Sequence, residues 1–314
     1  MTDKSLPLVS VGLPTFNRAS SLTKAVNSVL QQTYPNIQLI ISDNASTDET
    51  QSICEKFSQD DQRVTYIRQK ANLGAANNFT EVLKQSTGDY FMWLGDDDWI
   101  DDEYIFECVS VLISNPEYSL VAGKAEYFTN ENFKYQGNII NLEQEDAGNR
   151  LLSYYSQVSD NGVFYGVMRR DQISQIPMKN TMGGDWLMIA TMAFLGKVKT
   201  LLNTSVNRHV RENDSYEKLA ARLGVSKFQG KYPMLSIVIS ASKDIFNNKN
   251  YQSISFMQKV KLSCKIIVNF LLADNPPSLK YSFIVLVSLH TPKLIYPQVR
   301  SIYNFFKLIN SRPH

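Results

Sequence analysis

A chain of 314 residues that is 43% hydrophobic and 20% charged, with a formal net charge of +2, is long enough for one large core or two modest ones, and its composition is neither fibrous nor disordered. Its three cysteines, Cys54, Cys108 and Cys264, lie far apart and match no Cys or Cys/His ligand spacing, which argues against a disulfide framework and a zinc site and suits a reducing cytoplasm. The first seven residues hold no basic stretch leading into an apolar one, so no secretory signal is expected.

In chain order, residues 8–13 form a short apolar run ended by Pro14, and from Ser20 the apolar residues Leu22, Ala25, Val26, Val29 and Leu30 recur at helical spacing. The pattern repeats with a strand over 37–42 and a helix from about Ser46, where Ser46 and Glu49 have the spacing of a capping box. Residues 63–68 and 75–85 give a third strand and helix, and 89–94 a fourth strand. Four strands alternating with helices in under a hundred residues predict a parallel, doubly wound α/β sheet. Further on, the pattern predicts a helix over 102–114, a strand over 120–128, a long loop over 129–150, a strand over 162–168, a helix over 185–195 and a closing strand over 197–202.

The last third differs in character. Residues 250–314 hold eight Lys/Arg and a single acid, Asp274, leaving a body with 24 basic and 29 acidic residues. Residues 256–272 and 279–289 are apolar segments studded with Lys259, Lys261, Lys265 and Lys280, and neither reaches the roughly 20 residues that span a bilayer. They read either as basic amphipathic helices at a membrane surface or as helices packed on the preceding domain. Interleaved Ile, Leu and Val favour a lipid or protein surface over nucleic acid.

Asp96, Asp97 and Asp98 directly follow the fourth strand, with Gly95 at the turn. Ligands of open α/β sheets collect at the carboxyl ends of strands, and clustered carboxylates there repel one another until a divalent cation neutralises them. The alternative is a solvated acidic turn. Pro14 ends the first strand in the same way, which puts Thr15, Asn17 and Arg18 on the loop beyond it, and Asp43 holds the equivalent place after the second strand.

The fragments Pro14-Thr15-Phe16-Asn17-Arg18, Ser42-Asp43-Asn44-Ala45-Ser46-Thr47-Asp48, Asn72-Leu73-Gly74 and Leu94-Gly95-Asp96-Asp97-Asp98 stand in the order and spacing found in family 2 glycosyltransferases. The chain strongly resembles that family over residues 8–100 and fairly to about 215, but not in the tail. The resemblance implies a GT-A, Rossmann-like α/β domain over 1–215 with a mainly helical, basic extension over 216–314. It also implies a nucleotide-diphosphate sugar donor, UDP-sugar favoured, a Mg2+ or Mn2+ ion, and transfer with inversion at the anomeric carbon.

By the same resemblance Pro14, Thr15, Asn17, Arg18, Asp43, Asn72 and Gly74 surround the nucleotide. The family's acidic motif usually reads Asp-x-Asp-Asp; here Gly95 replaces the first acid. Asp98 is then the principal metal ligand, with Asp96 or Asp97 as its partner toward metal or ribose. Asp185, in Gly183-Gly184-Asp185-Trp186, matches the family's general base, the alternative being a helix cap. His209 resembles a late histidine brought back toward metal or diphosphate, and Arg208 or Arg211 can pair with phosphate. Arg169-Arg170 read either as a contact to a phosphorylated acceptor or as solvated charges.

The expected function is transfer of one sugar to a hydroxyl of a glycan, lipid-linked and of the O-antigen or capsule kind, at the cytoplasmic face of the membrane. Transfer to polyprenyl phosphate and a non-catalytic sugar-nucleotide or glycan-binding protein are the alternatives.

Overall fold

The computed structural model describes residues 6–129, 131–210 and 215–272. The first half alternates as the periodicity predicts: β1 (Val9–Thr15), α1 (Leu22–Leu30), β2 (Ile37–Asp43), α2 (Thr50–Asp60), β3 (Val64–Arg68), α3 (Ala75–Lys84) and β4 (Tyr90–Trp93). These strands are parallel in the order β3-β2-β1-β4. β1 and β4 are buried along their whole length, which is why they read as unbroken apolar runs rather than alternating ones. The chain winds to both sides of β1, so a crevice opens beyond the carboxyl ends of β1 and β4, between the Thr15 loop and the acidic turn.

The second half continues with β5 (Trp99–Ile100), α4 (Tyr104–Ser114), β6 (Tyr118–Thr129), β7 (Asn132–Gln136), α5 (Ala147–Gln157), β8 (Val167–Arg169), α6 (Arg170–Ile173), α7 (Gly184–Leu195) and β9 (Lys197–His209). β8 pairs antiparallel with both β4 and β6, so the parallel half passes into a mixed sheet of nine strands among the described residues.

The structure corrects four local expectations. α2 starts at Thr50, not Ser46, and there is no capping box: the Ser46 hydroxyl accepts the Asn17 N–H instead, at 2.9 Å. Within 129–150 the chain forms β7, wholly exposed and therefore without an apolar signal, and then begins α5, capped by Asp146 through the Asn149 N–H at 2.7 Å. Residues 162–168 are not one strand: Gly162–Tyr165 is a turn of 3-10 helix, and the strand starts only at Val167. β9 runs seven residues past the expected Leu202 to His209, because its register against β6 shifts between Gly123 and Lys124. Gly123 makes this possible, since a Cβ there would lie 2.6 Å from both the Thr204 carbonyl oxygen and the Tyr104 ring.

Beyond β9 come α8 (Tyr216–Leu223), α9 (Lys227–Lys231), α10 (Pro233–Asn247) and α11 (Phe256–Leu272). Leu235, Val238, Ala241 and Ile245 of α10 and Leu262, Ile266 and Phe270 of α11 form a second core with Leu151 of α5 and with Leu187 and Phe194 of α7. Other α7 residues, Met188, Ile189, Ala190, Met192 and Ala193, face the sheet core, so this helix is apolar all round. α11 packs on the preceding domain through its buried apolar stripe, while Lys261 and Lys265 face out. Among the described residues no helix is long and apolar enough to cross a membrane. The expected segment 279–289 and Arg211 lie outside the described residues.

Candidate active site

The loops after β1 and β2 are tied together before any ligand is considered. Asn17 adopts a left-handed backbone (φ 52°), donates its N–H to Ser46 Oγ and accepts the Thr47 N–H on Oδ1 at 2.8 Å. Asp43 is fully buried: one carboxylate oxygen accepts the Ser46 N–H (2.8 Å), the other the Tyr66 hydroxyl (3.0 Å) and Arg68 Nη1 (2.6 Å). Thr15 is buried next to Pro14 at the end of β1. Asn72 accepts from Asn44 Nδ2 and from the Gly74 N–H, both at 2.9 Å, and Gly74 (φ 83°) opens α3 on an exposed rim. The expected nucleotide residues therefore stand along one edge of the crevice, with Asn17 and Asp43 committed to holding its loops.

Across the crevice, Gly95 turns β4 into the acidic loop. A Cβ at this position would lie 2.6 Å from Asp98 Oδ2, which gives a steric reason for glycine where the family's acid is expected. Arg18 Nε donates to Asp96 Oδ1 at 3.2 Å, and its Nη2 lies 3.8 Å from Asp97. Burial, and then the neighbouring Asp97, push the Asp96 carboxyl up to about 6 despite Arg18. Asp98 is more deeply buried and is also shifted upward, by burial first, with Arg208 opposing.

The extension of β9 brings its end back to this loop, where β5 pairs with it. Asp98 Oδ1 accepts the backbone N–H of His209 at 3.0 Å, so it meets this residue through the main chain. Arg208 approaches Asp98 Oδ2 at 3.5 Å and is held by the hydroxyls of Tyr127 (3.0 Å) and Tyr165 (3.3 Å), with its guanidinium over the Tyr165 ring at 4.5 Å. Among the described residues no three His, Cys, Asp or Glu side chains gather into a metal-ligand group, so Asp96, Asp98 and His209 do not form a protein-only cage. The donor set nevertheless fits Mg2+ or Mn2+. Its carboxylates are hard oxygen donors whose charges burial disfavours, and magnesium usually takes one or two carboxylates together with substrate phosphates.

Arg208 also lines a cavity of about 340 Å³, and Asp185 stands in its wall. Asp185 lies in the first turn of α7, where Gly183 (φ 70°) holds the cap position, so the cap alternative is not adopted. Its Oδ2 accepts Asn161 Nδ2 at 2.9 Å. Burial pushes the carboxyl upward, against the Asn161 hydrogen bond, the helix's first N–H groups and Arg208. The other walls are Phe79 of α3, Phe164 and Tyr165, the loop 178–183, and Leu219 and Leu223 of α8.

Sequence reasoning missed Asn161, Tyr127 and Tyr165, which carry no motif of their own. It also misread Arg169 and Arg170. Arg169 donates to the carbonyls of Tyr118 and Leu112 and Arg170 to those of Gly88 and Ser86, so both clamp main chain rather than face an acceptor or solvent. Trp186 packs against the sheet core.

Residues 10–176 match the description "Glycosyl transferase family 2". The chain is 30% identical over 154 residues to glycosyltransferase GlyA of Streptococcus pneumoniae, covering 49% of this chain and 20% of that protein. It is 32% identical over 147 residues to the GalNAc(5)-diNAcBac-PP-undecaprenol beta-1,3-glucosyltransferase of Campylobacter jejuni, covering 46% and 44%. The chain thus spans less than half the length of these relatives. Among solved structures it is similar to S. aureus TarS 1–349 in complex with UDP-GlcNAc, with a TM-score of 0.62 at 17% identity over 93% of this chain and 78% of that one. Mannosyltransferase PcManGT from Pyrobaculum calidifontis, in complex with GDP-Man and Mn2+, matches with a TM-score of 0.57 at 13% identity, covering 98% and 81%. These likenesses show the GT-A fold.

Proposed function

The chain belongs to glycosyltransferase family 2, and from that premise we propose that it transfers a sugar with inversion from a nucleotide-diphosphate donor to a glycan hydroxyl, Asp185 being the general base. The observation that carries this reading is that Asp185 and Arg208 line one cavity while Arg208 also reaches Asp98. A base and the charges that meet a diphosphate are thereby joined through one side chain.

In this reading the nucleotide lies along Pro14, Thr15, Asn17, Arg18, Asp43, Asn72 and Gly74. The diphosphate meets Arg208 and the turn of Asp96, Asp97 and Asp98. Mg2+ or Mn2+, held by Asp98 with Asp96 or Asp97 and with His209 as a further ligand, would supply Lewis-acid neutralisation of the departing diphosphate. Arg208 offsets part of the same charge, and the tyrosines around it fix its direction in advance. Asp185 takes the proton of the acceptor hydroxyl as that oxygen attacks the anomeric carbon. Its upward shift brings the carboxyl nearer the operating pH, which favours a base, and Asn161 holds one oxygen so that the other can face the acceptor. An acceptor that is already an anion would need no such base, which favours a hydroxyl over polyprenyl phosphate.

UDP-sugars are the favoured donors, and a lipid-linked glycan of a bacterial surface polysaccharide is the proposed acceptor. Exposed Phe256 and Met257, with Lys261 and Lys265, give the helical region a face suited to peripheral contact with the cytoplasmic side of a membrane. The test is donor hydrolysis over a panel of UDP-, GDP-, dTDP- and CDP-sugars with Mg2+ or Mn2+, for wild type and Asp98→Asn. Metal-dependent cleavage of one donor, lost in Asp98→Asn, supports the reading; no cleavage and no nucleotide binding across the panel contradicts it.

A further inference from the structure

The loop 178–183 leads directly into the helix that carries Asp185, and three C-terminal helices hold it. From α9, Gln229 Oε1 accepts both the Met182 N–H and the Thr181 hydroxyl, each at 2.8 Å. From α10, the buried Asp244 forms an ion pair with Lys179. From α8, the Leu223 carbonyl accepts Asn180 Nδ2 at 3.1 Å. α10 also presses on the cap of α7: a Cβ on Gly183 would lie 2.5 Å from Ile237 Cγ1, and Gly183 has the left-handed φ of 70° that only glycine adopts without strain.

Asp244 is tied in turn to the far side of α7. Asn248 Nδ2 lies 3.3 Å from both Asp244 Oδ2 and Thr191 Oγ1, and Thr191 lies 3.0 Å from the Tyr251 hydroxyl. Four consecutive loop residues, 179–182, thus have side-chain or main-chain partners in α8–α10, and the helix they feed is gripped by the same elements. Packing alone does not require this. The second core would hold the helices against α7 without any polar tie to the loop. Each tie falls on the segment that sets where α7 begins, and therefore where the Asp185 carboxyl points.

We propose that Gln229, together with the Lys179–Asp244 pair, is a positioning residue for Asp185, so that the helices after residue 215 complete the catalytic site. The proposal rests on the reading of Asp185 as the general base. Gln229 donates its main-chain atoms to a short helix and is not among the residues that line the cavity. It therefore acts on the reaction through the loop. The two bonds it accepts depend on its side-chain oxygen alone, which Glu retains and Leu lacks.

The test uses the full chain in four forms: wild type, Gln229→Leu, Gln229→Glu and Asp185→Asn. Each is followed by hydrogen exchange of the peptide containing Met182, by thermal unfolding, and by steady-state hydrolysis of the donor that wild type cleaves from a panel of UDP-, GDP-, dTDP- and CDP-sugars with Mn2+. Gln229→Leu is expected to exchange the Met182 segment about five- to tenfold faster, as for one lost hydrogen bond. It should also lower kcat by about 10–100-fold with donor KM unchanged, as for a small misplacement of a catalytic group. Gln229→Glu should restore both. Unchanged exchange in Gln229→Leu overturns the proposal, whatever donor the protein takes. Unchanged kcat in Gln229→Leu, with Asp185→Asn inactive, overturns the positioning role and leaves the base intact. Wild-type hydrolysis by Asp185→Asn overturns the base assignment and the positioning role with it.

Discussion

In the proposed reading, the first hundred residues supply the donor side of the site and the stretch from Asn161 to Asp244 the acceptor side, and the two are built by different means. On the donor side each candidate residue stands at the end of a parallel strand or in the turn after it, so the sheet that forms the core also aims the side chains. On the acceptor side Asp185, Asn161, Gln229 and Asp244 come from four separate segments: Asn161 bonds to Asp185 directly, and Gln229 and Asp244 reach it through the loop 179–182. The donor side inherits its geometry from secondary structure, whereas the acceptor side must make it from tertiary contacts. A substitution on the first side should alter donor affinity or make the loss of turnover depend on metal concentration, and one on the second should lower turnover independently of metal.

The largest expected effect is that of Asp185→Asn. Removing a general base lowers turnover by about 10²–10⁴-fold, and steady-state kinetics should show this with donor KM unchanged. Asp98→Asn comes next, at about 10²–10³-fold, the usual cost of losing one group that stabilises a departing charge. Its loss should be partly relieved by raised Mn2+, a dependence that Asp185→Asn should lack. A donor-side substitution that behaves like Asp185→Asn would break the division.

Gly95→Ala is expected to be milder. Its Cβ would displace Asp98 Oδ2, costing about 1–3 kcal/mol of stability by overpacking, and thermal unfolding with a metal titration should show weaker metal binding at near-native fold. The smallest effect concerns pH. The Asp96 carboxyl is pushed up to about 6 in the folded chain, from 3.8 when unperturbed. The folded state therefore binds this proton more tightly than the unfolded one. The stabilising contribution is full below about 3.8 and is lost as pH rises through about 6. In the metal-free protein Asp96→Asn should then raise the Tm relative to wild type at pH 7.5 more than at pH 4, and an equal difference at both would contradict the sign.

The same contrast explains what could be read from the sequence. β1, β2 and β4 are buried along all or nearly all of their length and announce themselves as apolar runs, and Gly95 marks where β4 turns, whereas Pro14 does not end β1, which stays paired with β2 through Thr15. β7 is exposed throughout and gives no period to read. β9 loses its apolar pattern at Leu202 and Asn203, where the register slips, although its last residues carry Arg208. Asp185 is singled out only by its resemblance to the family's acid at a helix start, and its partner Asn161 by nothing, because a hydrogen bond between residues 24 positions apart leaves no mark on either segment. The capping-box spacing at Ser46 misled because the serine is taken by a neighbouring strand's loop rather than by its own helix.

The division between the two sides is tested most directly by calorimetric titration of Asp185→Asn with Mn2+ and the sugar nucleotide that wild type binds. An affinity within about twofold of wild type, less than 0.5 kcal/mol, alongside lost turnover is the predicted result. Loss of affinity in step with turnover would contradict it, placing Asp185 in the donor's binding site rather than at the acceptor.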